Sequence, residues 1–153
     1  MRIAIKIRPP HLSEAEAISA LVCSVAHACL GQDASAFVST LSPSTVEGNL
    51  QNPSYSFALG FVGDELAGVA AIREQKHVHH LFVAPKYHNQ GIAKSLWHYL
   101  KKEAVAQGTH LFTVNSSLYA VLVYQKFGFL PISQPQLKNG IAYVPMQLMV
   151  DVG

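Results

Sequence analysis

The chain has 153 residues, half of them hydrophobic, and carries 11 Lys and Arg against 9 Asp and Glu, with eight histidines, for a formal net charge of +2. That is enough chain for one domain with a core of ordinary size, so a single domain over 1–153 is expected. The basic residues are scattered and no run of like charge occurs, which argues against nucleic acid or a membrane surface as partner.

Ile3, Ile5 and Ile7 alternate with polar or small residues and Pro9-Pro10 ends the run, so a first strand is predicted there rather than the continuous apolar segment of a signal peptide. Ser13 and Glu16 have capping-box spacing, and Ile18, Leu21, Val22, Val25 and Ala26 recur at helical spacing, predicting a helix from Ser13 to Leu30. Cys23 and Cys29 lie six positions apart in it, on different faces, and are expected to be free thiols in a reducing setting. No stretch approaches the ~18 apolar residues of a membrane span. A soluble cytoplasmic protein is the expectation.

Asp33 to Thr40 reads as a short second helix with Phe37 turned inward, and Ser42-Pro43-Ser44 as a loop before a further helical turn capped by Ser44 or Thr45. Tyr55 to Val62 and Glu65 to Arg73 are strand-like and joined by the two-residue turn Gly63-Asp64. His77 to Val83 is a third consecutive strand, ended by Pro85. A helix from Gly91 to about Gln107 follows, with Gly108 as its C-cap. Leu111 to Val114 reads as a strand, Leu118 to Phe127 as a helix closed by Gly128, and Phe129 to Ile132 with Ile141 to Val150 as the last strands. This order is mixed α/β in a single layer pattern.

The stretch from His77 to Leu100 has the layout of an anion site: an apolar strand, a glycine-containing turn and an amphipathic helix. A helix that starts at a glycine presents unpaired N–H groups and the positive end of its dipole to an anion. Within it, His77 and His79 lie two apart on a strand and are expected on one face, with His80 on the other.

Leu81-Phe82-Val83-Ala84-Pro85 followed by His88-Asn89-Gln90-Gly91-Ile92-Ala93 resembles the strand, Val-x-Pro and Q/R-x-x-G-x-G/A turn of the GNAT superfamily, the Gcn5-related N-acetyltransferases. Residues 115–129, NSSLYAVLVYQKFGF, resemble the same family's A-x-x-x-Y-x-K-x-G-F region, with Ala120, Tyr124, Lys126, Gly128 and Phe129 in matching places. With the element order, the similarity spans nearly the whole chain. It implies a GNAT fold, in which helices flank a mixed, largely antiparallel sheet splayed between strands 4 and 5. It also implies acetyl transfer from acetyl-CoA to a primary amine by direct attack in a ternary complex, with no metal.

By this resemblance Asn89, Gln90, Gly91, Ile92 and Ala93 meet the pyrophosphate, mostly through backbone N–H groups, with Lys94 at the rim. Gly91 has no Cβ to keep the phosphate from the backbone. His88 departs from the usual Gln or Arg. A neutral imidazole donates one hydrogen bond and a protonated one binds more strongly, so donor affinity is expected to depend on pH. Leu81, Phe82 and Val83 would hold the pantetheine arm by their backbone. Asn115, Ser116 and Ser117 follow at the end of the next strand as polar contacts, Asn115 first among them and Ser117 with it, and helix capping is a second role for Ser116 or Ser117.

Tyr124 matches the general acid, with an ordinary phenol near ~10. For the base, His77 or His79, the carboxylate of Glu74, or a water chain all fit. The acceptor cleft falls on Phe37, Tyr55, Tyr119 and Tyr143, with a small-molecule amine favoured over a peptide amine. The family frequently dimerises through terminal strands, so a homodimer is compatible. Two other readings compete with this one. One is a GNAT-like module that binds a CoA thioester without catalysis; the other is a metal-dependent enzyme using His77 and His79.

Overall fold

The computed structural model describes residues 4–30, 41–138 and 140–150, and of residues 28–30 the backbone alone. The elements run β1 (Ile5–Arg8), a 3-10 turn (Leu12–Glu14), α1 (Ala15–Leu30), α2 (Pro43–Gln51), β2 (Tyr55–Val62), β3 (Glu65–Arg73) and β4 (His77–Val83). A 3-10 turn (Pro85–Tyr87) leads to α3 (Ile92–Ala106) and β5 (Leu111–Ser117). Another (Leu118–Ala120) precedes α4 (Val121–Lys126), and β6 (Leu130–Pro131), β7 (Gln136–Lys138) and β8 (Ile141–Met149) complete the chain. Ile3, the helix expected from Asp33 to Thr40, and Phe37 lie outside the described residues.

Several boundaries differ from expectation for local chemical reasons. The first helix enters through the 3-10 turn, where the Glu14 carboxylate accepts the His11 N–H at 2.7 Å and grips Arg8 at 2.9 and 2.7 Å. Glu14, rather than the Ser13 and Glu16 pair, therefore ties the chain entry. Arg8 holds the Glu14 carboxyl well below the usual carboxylate range. The segment read as a loop with a helical turn is the nine-residue α2, with Pro43 at its start and Ser42 Oγ accepting from Thr45 N at 3.3 Å. β5 continues through Asn115, Ser116 and Ser117 because β8 pairs with it as far as Ser117↔Tyr143. The helix expected from Leu118 is split into the 3-10 turn and α4.

The eight strands form one sheet in the order β1-β2-β3-β4-β5-β8-β6, with β7 on β8. Neighbours are antiparallel except β4 and β5, which pair in parallel only at His77↔Thr113 and Val78↔Val114. Beyond that point β5 keeps β8 as its partner, while β4 continues to Val83 along β3. The sheet is therefore splayed between its fourth and fifth strands.

One face is covered by α1 and α2, whose Ile18, Val22, Ala26 and Val46 pack on Phe57, Leu59, Val69 and Ala71. The other is covered by α3 and α4 over a larger cluster. Trp97 stands at its centre, with ring centroids 5.1 Å from Phe112 and 5.4 Å from Phe129. Leu96 and Ile92 bring α3 so close to β3 that a Cβ on Gly68 would lie 2.9 Å from Leu96 Cδ1 and 3.1 Å from the Phe82 carbonyl oxygen. Gly68 thus sets how closely the start of α3 sits on the sheet. Gly68→Ala is expected to destabilise the fold by roughly 1–3 kcal/mol through overpacking, read as a lower urea midpoint at unchanged slope. A midpoint equal to that of the unmutated chain would show that the contact is not tight.

Candidate active site

The opening between β4 and β5 leads into a cavity of about 990 Å³ that runs between the two faces of the sheet. Val25 and Ala26 of α1 line one side, residues 91–94 of α3 and Val123, Tyr124 and Phe127 near α4 another, and Tyr143 of β8 a third. The cause of the opening lies in β4. Ile72 faces Val78 and Ala71 faces His80, so His79 is an extra residue, a β-bulge that bends its strand away from β5. Among the described residues, the ladder between β4 and β5 stops at Val78↔Val114, just before the bulge.

At one end of the cavity is the start of α3. Gly91 is its N-cap at φ +83, with no side-chain cap, and the first intrahelical bond runs from Ser95 N to Gly91 O at 3.0 Å. The amides of residues 92–94 are therefore donors without helical partners, and the helix dipole favours an anion beside them. A Cβ on Gly91 would meet no protein atom within 4 Å. Glycine is demanded here by the left-handed backbone, and the space where a side chain would stand is open to a ligand. Asn89 also has positive φ, +63.

The turn before this helix is fixed from a distant hairpin. Tyr87 Oη donates to one oxygen of Glu65 at the start of β3, and Lys86 Nζ is 2.7 Å from the other. His88 Nε2 lies 2.7 Å from the carbonyl oxygen of Val83. Gln90 is not among the residues that line the cavity, and its Nε2 donates to Lys86 O at 3.3 Å.

Toward the middle, Tyr124 is buried against Phe129 and Phe127, with ring centroids at 5.5 and 6.2 Å, and borders the cavity. Burial pushes its phenol above the ordinary value, so it stays protonated well into alkaline solution. Asn115 is exposed on the cavity wall, and Ser117 Oγ accepts from Ala120 N at 3.2 Å, capping the following turn.

A family model described as an acetyltransferase (GNAT) domain matches residues 25–150. The chain belongs to the GNAT acetyltransferase family. No curated protein matches it in sequence. Among solved structures, a GCN5-related N-acetyltransferase from Rhodopseudomonas palustris is similar over 98% of this chain and 99% of its own, at 20% identity and a TM-score of 0.85. The PaiA N-acetyltransferase of Thermoplasma acidophilum, solved in complex with coenzyme A, is similar over 95% and 99%, at 16% identity and a TM-score of 0.78. The putative acetyltransferase YncA of Salmonella typhimurium, solved with its cofactor acetyl-CoA, is similar over 97% and 95%, at 20% identity and a TM-score of 0.77. At these identities the likeness is one of fold.

In this GNAT chain the cavity gathers His79, Leu81, Phe82, Val83, His88, Asn89, Gly91, Ile92, Ala93 and Lys94 from the first motif. From the second half it gathers Asn115, Ser117, Tyr119, Tyr124 and Tyr143. Other residues singled out in the sequence stand apart from it. Glu74 is exposed in the β3–β4 turn, at φ +55. His77 is pinned at the start of β4, its Nδ1 2.8 Å from Thr113 Oγ1. Tyr55 borders a second, smaller cavity and reaches the first only through its ring, which lies edge-on to that of His79 at 5.0 Å. Tyr87, His98, Lys126 and Lys138 also line the main cavity. Sequence reasoning placed Lys126 in the second motif without giving it a site role, while Tyr87, His98 and Lys138 sit at no motif position and only the fold brings them to the cavity.

The bulge also changes the placement of the histidines. Strict alternation would send His80 to the face opposite His79, yet the two rings lie 4.2 Å apart. His80 is 3% exposed between Phe57 and Phe82, at 6.1 and 5.5 Å, and neither ring nitrogen has a partner among the described residues. Burial, with His79 beside it, holds His80 down to about 3. Burial first, then the charges of Arg73 and His77, holds His79 down to about 4. Both are neutral at pH 7. Among the described residues no group of three or more His, Cys, Asp or Glu could hold a metal, and no helix is long and apolar enough to cross a membrane.

These depressed values make stability depend on pH with a definite sign. The contribution is whole above the unfolded value of about 6.5, because neither state then binds a proton at these rings. It is lost as pH falls from there through the folded values of about 4 and 3, since the unfolded chain takes up protons that the folded chain refuses. His80→Phe is expected to flatten the fall in unfolding free energy between about pH 6 and 5, by up to ~1.4 kcal/mol per pH unit. Urea titrations at the two pH values check this, and equal slopes for variant and parent would contradict it.

Proposed function

We propose that the protein transfers an acetyl group from acetyl-CoA to the primary amine of a small molecule, by direct attack within a ternary complex. The observation that carries this is a single cavity lined by the uncapped start of α3, by Leu81, Phe82 and Val83 of β4, and by the buried Tyr124. A diphosphate, an amide-bearing arm and a thioester fit those three regions in that order.

Gly91 and the amides of residues 92–94 bind the pyrophosphate, with Lys94 adding charge at the rim. The arm lies along Leu81, Phe82 and Val83 as an added strand would. The Val83 carbonyl is already engaged by His88, so the arm uses the other backbone groups of that edge. Asn115 lies on the opposite wall of the opening, on β5. Backbone N–H groups near the β4 bulge receive the charge that develops on the thioester oxygen.

The reaction forms a bond from nitrogen to the acetyl carbon and breaks the bond from that carbon to sulfur. Two protons must be managed. The nitrogen's proton goes to His79, directly or through water; of the candidate bases His77, His79 and Glu74, His79 is the one that lines the cavity. The departing sulfur is met by the Tyr124 hydroxyl. Because burial raises that phenol, its acidity is not matched to the leaving thiol as an ordinary tyrosine's would be, and it acts first as a hydrogen-bond donor to the sulfur. Tyr119 and Tyr143, with Val25 and Ala26 of α1, wall the acceptor end.

Thiol release from acetyl-CoA with a panel of amines tests the proposal. Tyr124→Phe keeps the buried ring and is expected to lower kcat by about 10²–10³, with donor binding little changed. Tight coenzyme A binding with no amine turned over, and no effect of Tyr124→Phe, would instead favour a module that binds the thioester without catalysis. Turnover of peptide amino termini alone would move the acceptor from small molecules to peptides.

A further inference from the structure

Building on the coenzyme A reading above, we propose that His88 is a proton-linked ligand of the donor's pyrophosphate, so that binding the donor draws a proton into the site. A carbonyl oxygen only accepts, so the 2.7 Å contact with Val83 O requires the proton on His88 Nε2. That leaves Nδ1 as the ring's remaining polar atom. In a neutral ring of this tautomer Nδ1 is a bare acceptor, and it repels a phosphate oxygen. Once protonated it becomes a donor in a charge-assisted bond to the same oxygen. A glutamine or arginine in this place would offer a donor at any pH; a histidine whose Nε2–H is already committed offers one only as imidazolium.

His88 borders the cavity with Asn89 and Gly91, immediately ahead of the uncapped helix that receives the anion. The other charged and titratable groups that line the cavity are His79, Tyr87, Lys94, His98, Tyr119, Tyr124, Lys126, Lys138 and Tyr143. On the turn of His88 itself, Lys86 and Tyr87 are both tied to Glu65 of β3. Lysines set the strength of anion binding, whereas an imidazole, whose charge changes between roughly pH 5 and 8, sets its pH dependence. His98 is a second imidazole on the cavity wall. His79, farther along the cavity, is held neutral by its burial.

Proton uptake can be measured directly by titrating the protein with dephospho-coenzyme A in buffers of different ionisation enthalpy at about pH 7.5. The dephospho form is the probe because a terminal phosphate monoester itself titrates near ~6 and would release a proton on entering a basic site. The unmutated protein is expected to take up roughly a third of a proton or more, and its affinity to weaken by up to ~tenfold per pH unit as pH rises toward 8.5. His88→Gln should bind with neither the uptake nor the pH slope, while His98→Gln should retain both. No uptake by the unmutated protein, or equal uptake by His88→Gln, overturns the proposal while leaving the donor assignment intact. If neither coenzyme A nor its dephospho form binds, the donor assignment fails and this inference fails with it.

Discussion

A one-residue bulge turns a strand out of line with its neighbour, and here that constraint acts on β4 at His79. One extra residue, set between Val78 and His80 against a continuous β3, turns the strand away from β5. β8 then satisfies β5, so the opening does not close on itself. The rest of the site depends on this break. It lets a cavity pass from one face of the sheet to the other, with Leu81, Phe82 and Val83 of β4 on its wall. It also aims the strand at the start of α3, whose first amides have no helical partner. A strand and an uncapped helix start thus meet in one cavity, which is why an extended ligand with an anionic end suits it better than a compact one.

The helix whose start faces the ligand's anionic end is held by packing rather than by charge. Gly68 allows Ile92 and Leu96 to sit against β3, and Trp97 anchors the next turn among Phe112, Phe127 and Phe129. The polar links around the turn are solvated: Glu65 and Lys86 are about half exposed, so their ion pair positions the turn more than it stabilises the fold. The electrostatics of the cavity divide in two. Lys94, Lys126 and Lys138 bring positive charge to the cavity wall, while burial keeps His79 neutral. A neutral imidazole can accept a proton from an amine; a protonated one could not.

Much of this was legible in the residues. Gly91 after an apolar strand, with Ile92, Leu96, Trp97 and Leu100 at helical spacing, announces the turn and α3, and Tyr124 in its motif points to the second half of the cavity. What escaped was non-local. No periodicity marks a β-bulge, so His80 could not be placed beside His79. β7 is three residues, Gln136 to Lys138, all exposed, with no apolar face to reveal a strand. The contact from Glu65 to Tyr87 joins residues 22 positions apart across a hairpin. Pro43 looked like a breaker, yet at the first turn of α2 it costs no hydrogen bond.

The central claim is that one ligand uses both the open edge of β4 and the uncapped start of α3. Backbone amide shifts of ¹⁵N-labelled protein, followed as coenzyme A is added, test it residue by residue. The account predicts that the largest changes fall on residues 81–83 and 91–94 together, at a single affinity. Changes concentrated on the smaller cavity near Pro10, Tyr55 and Tyr99, with β4 and the start of α3 silent, would contradict it.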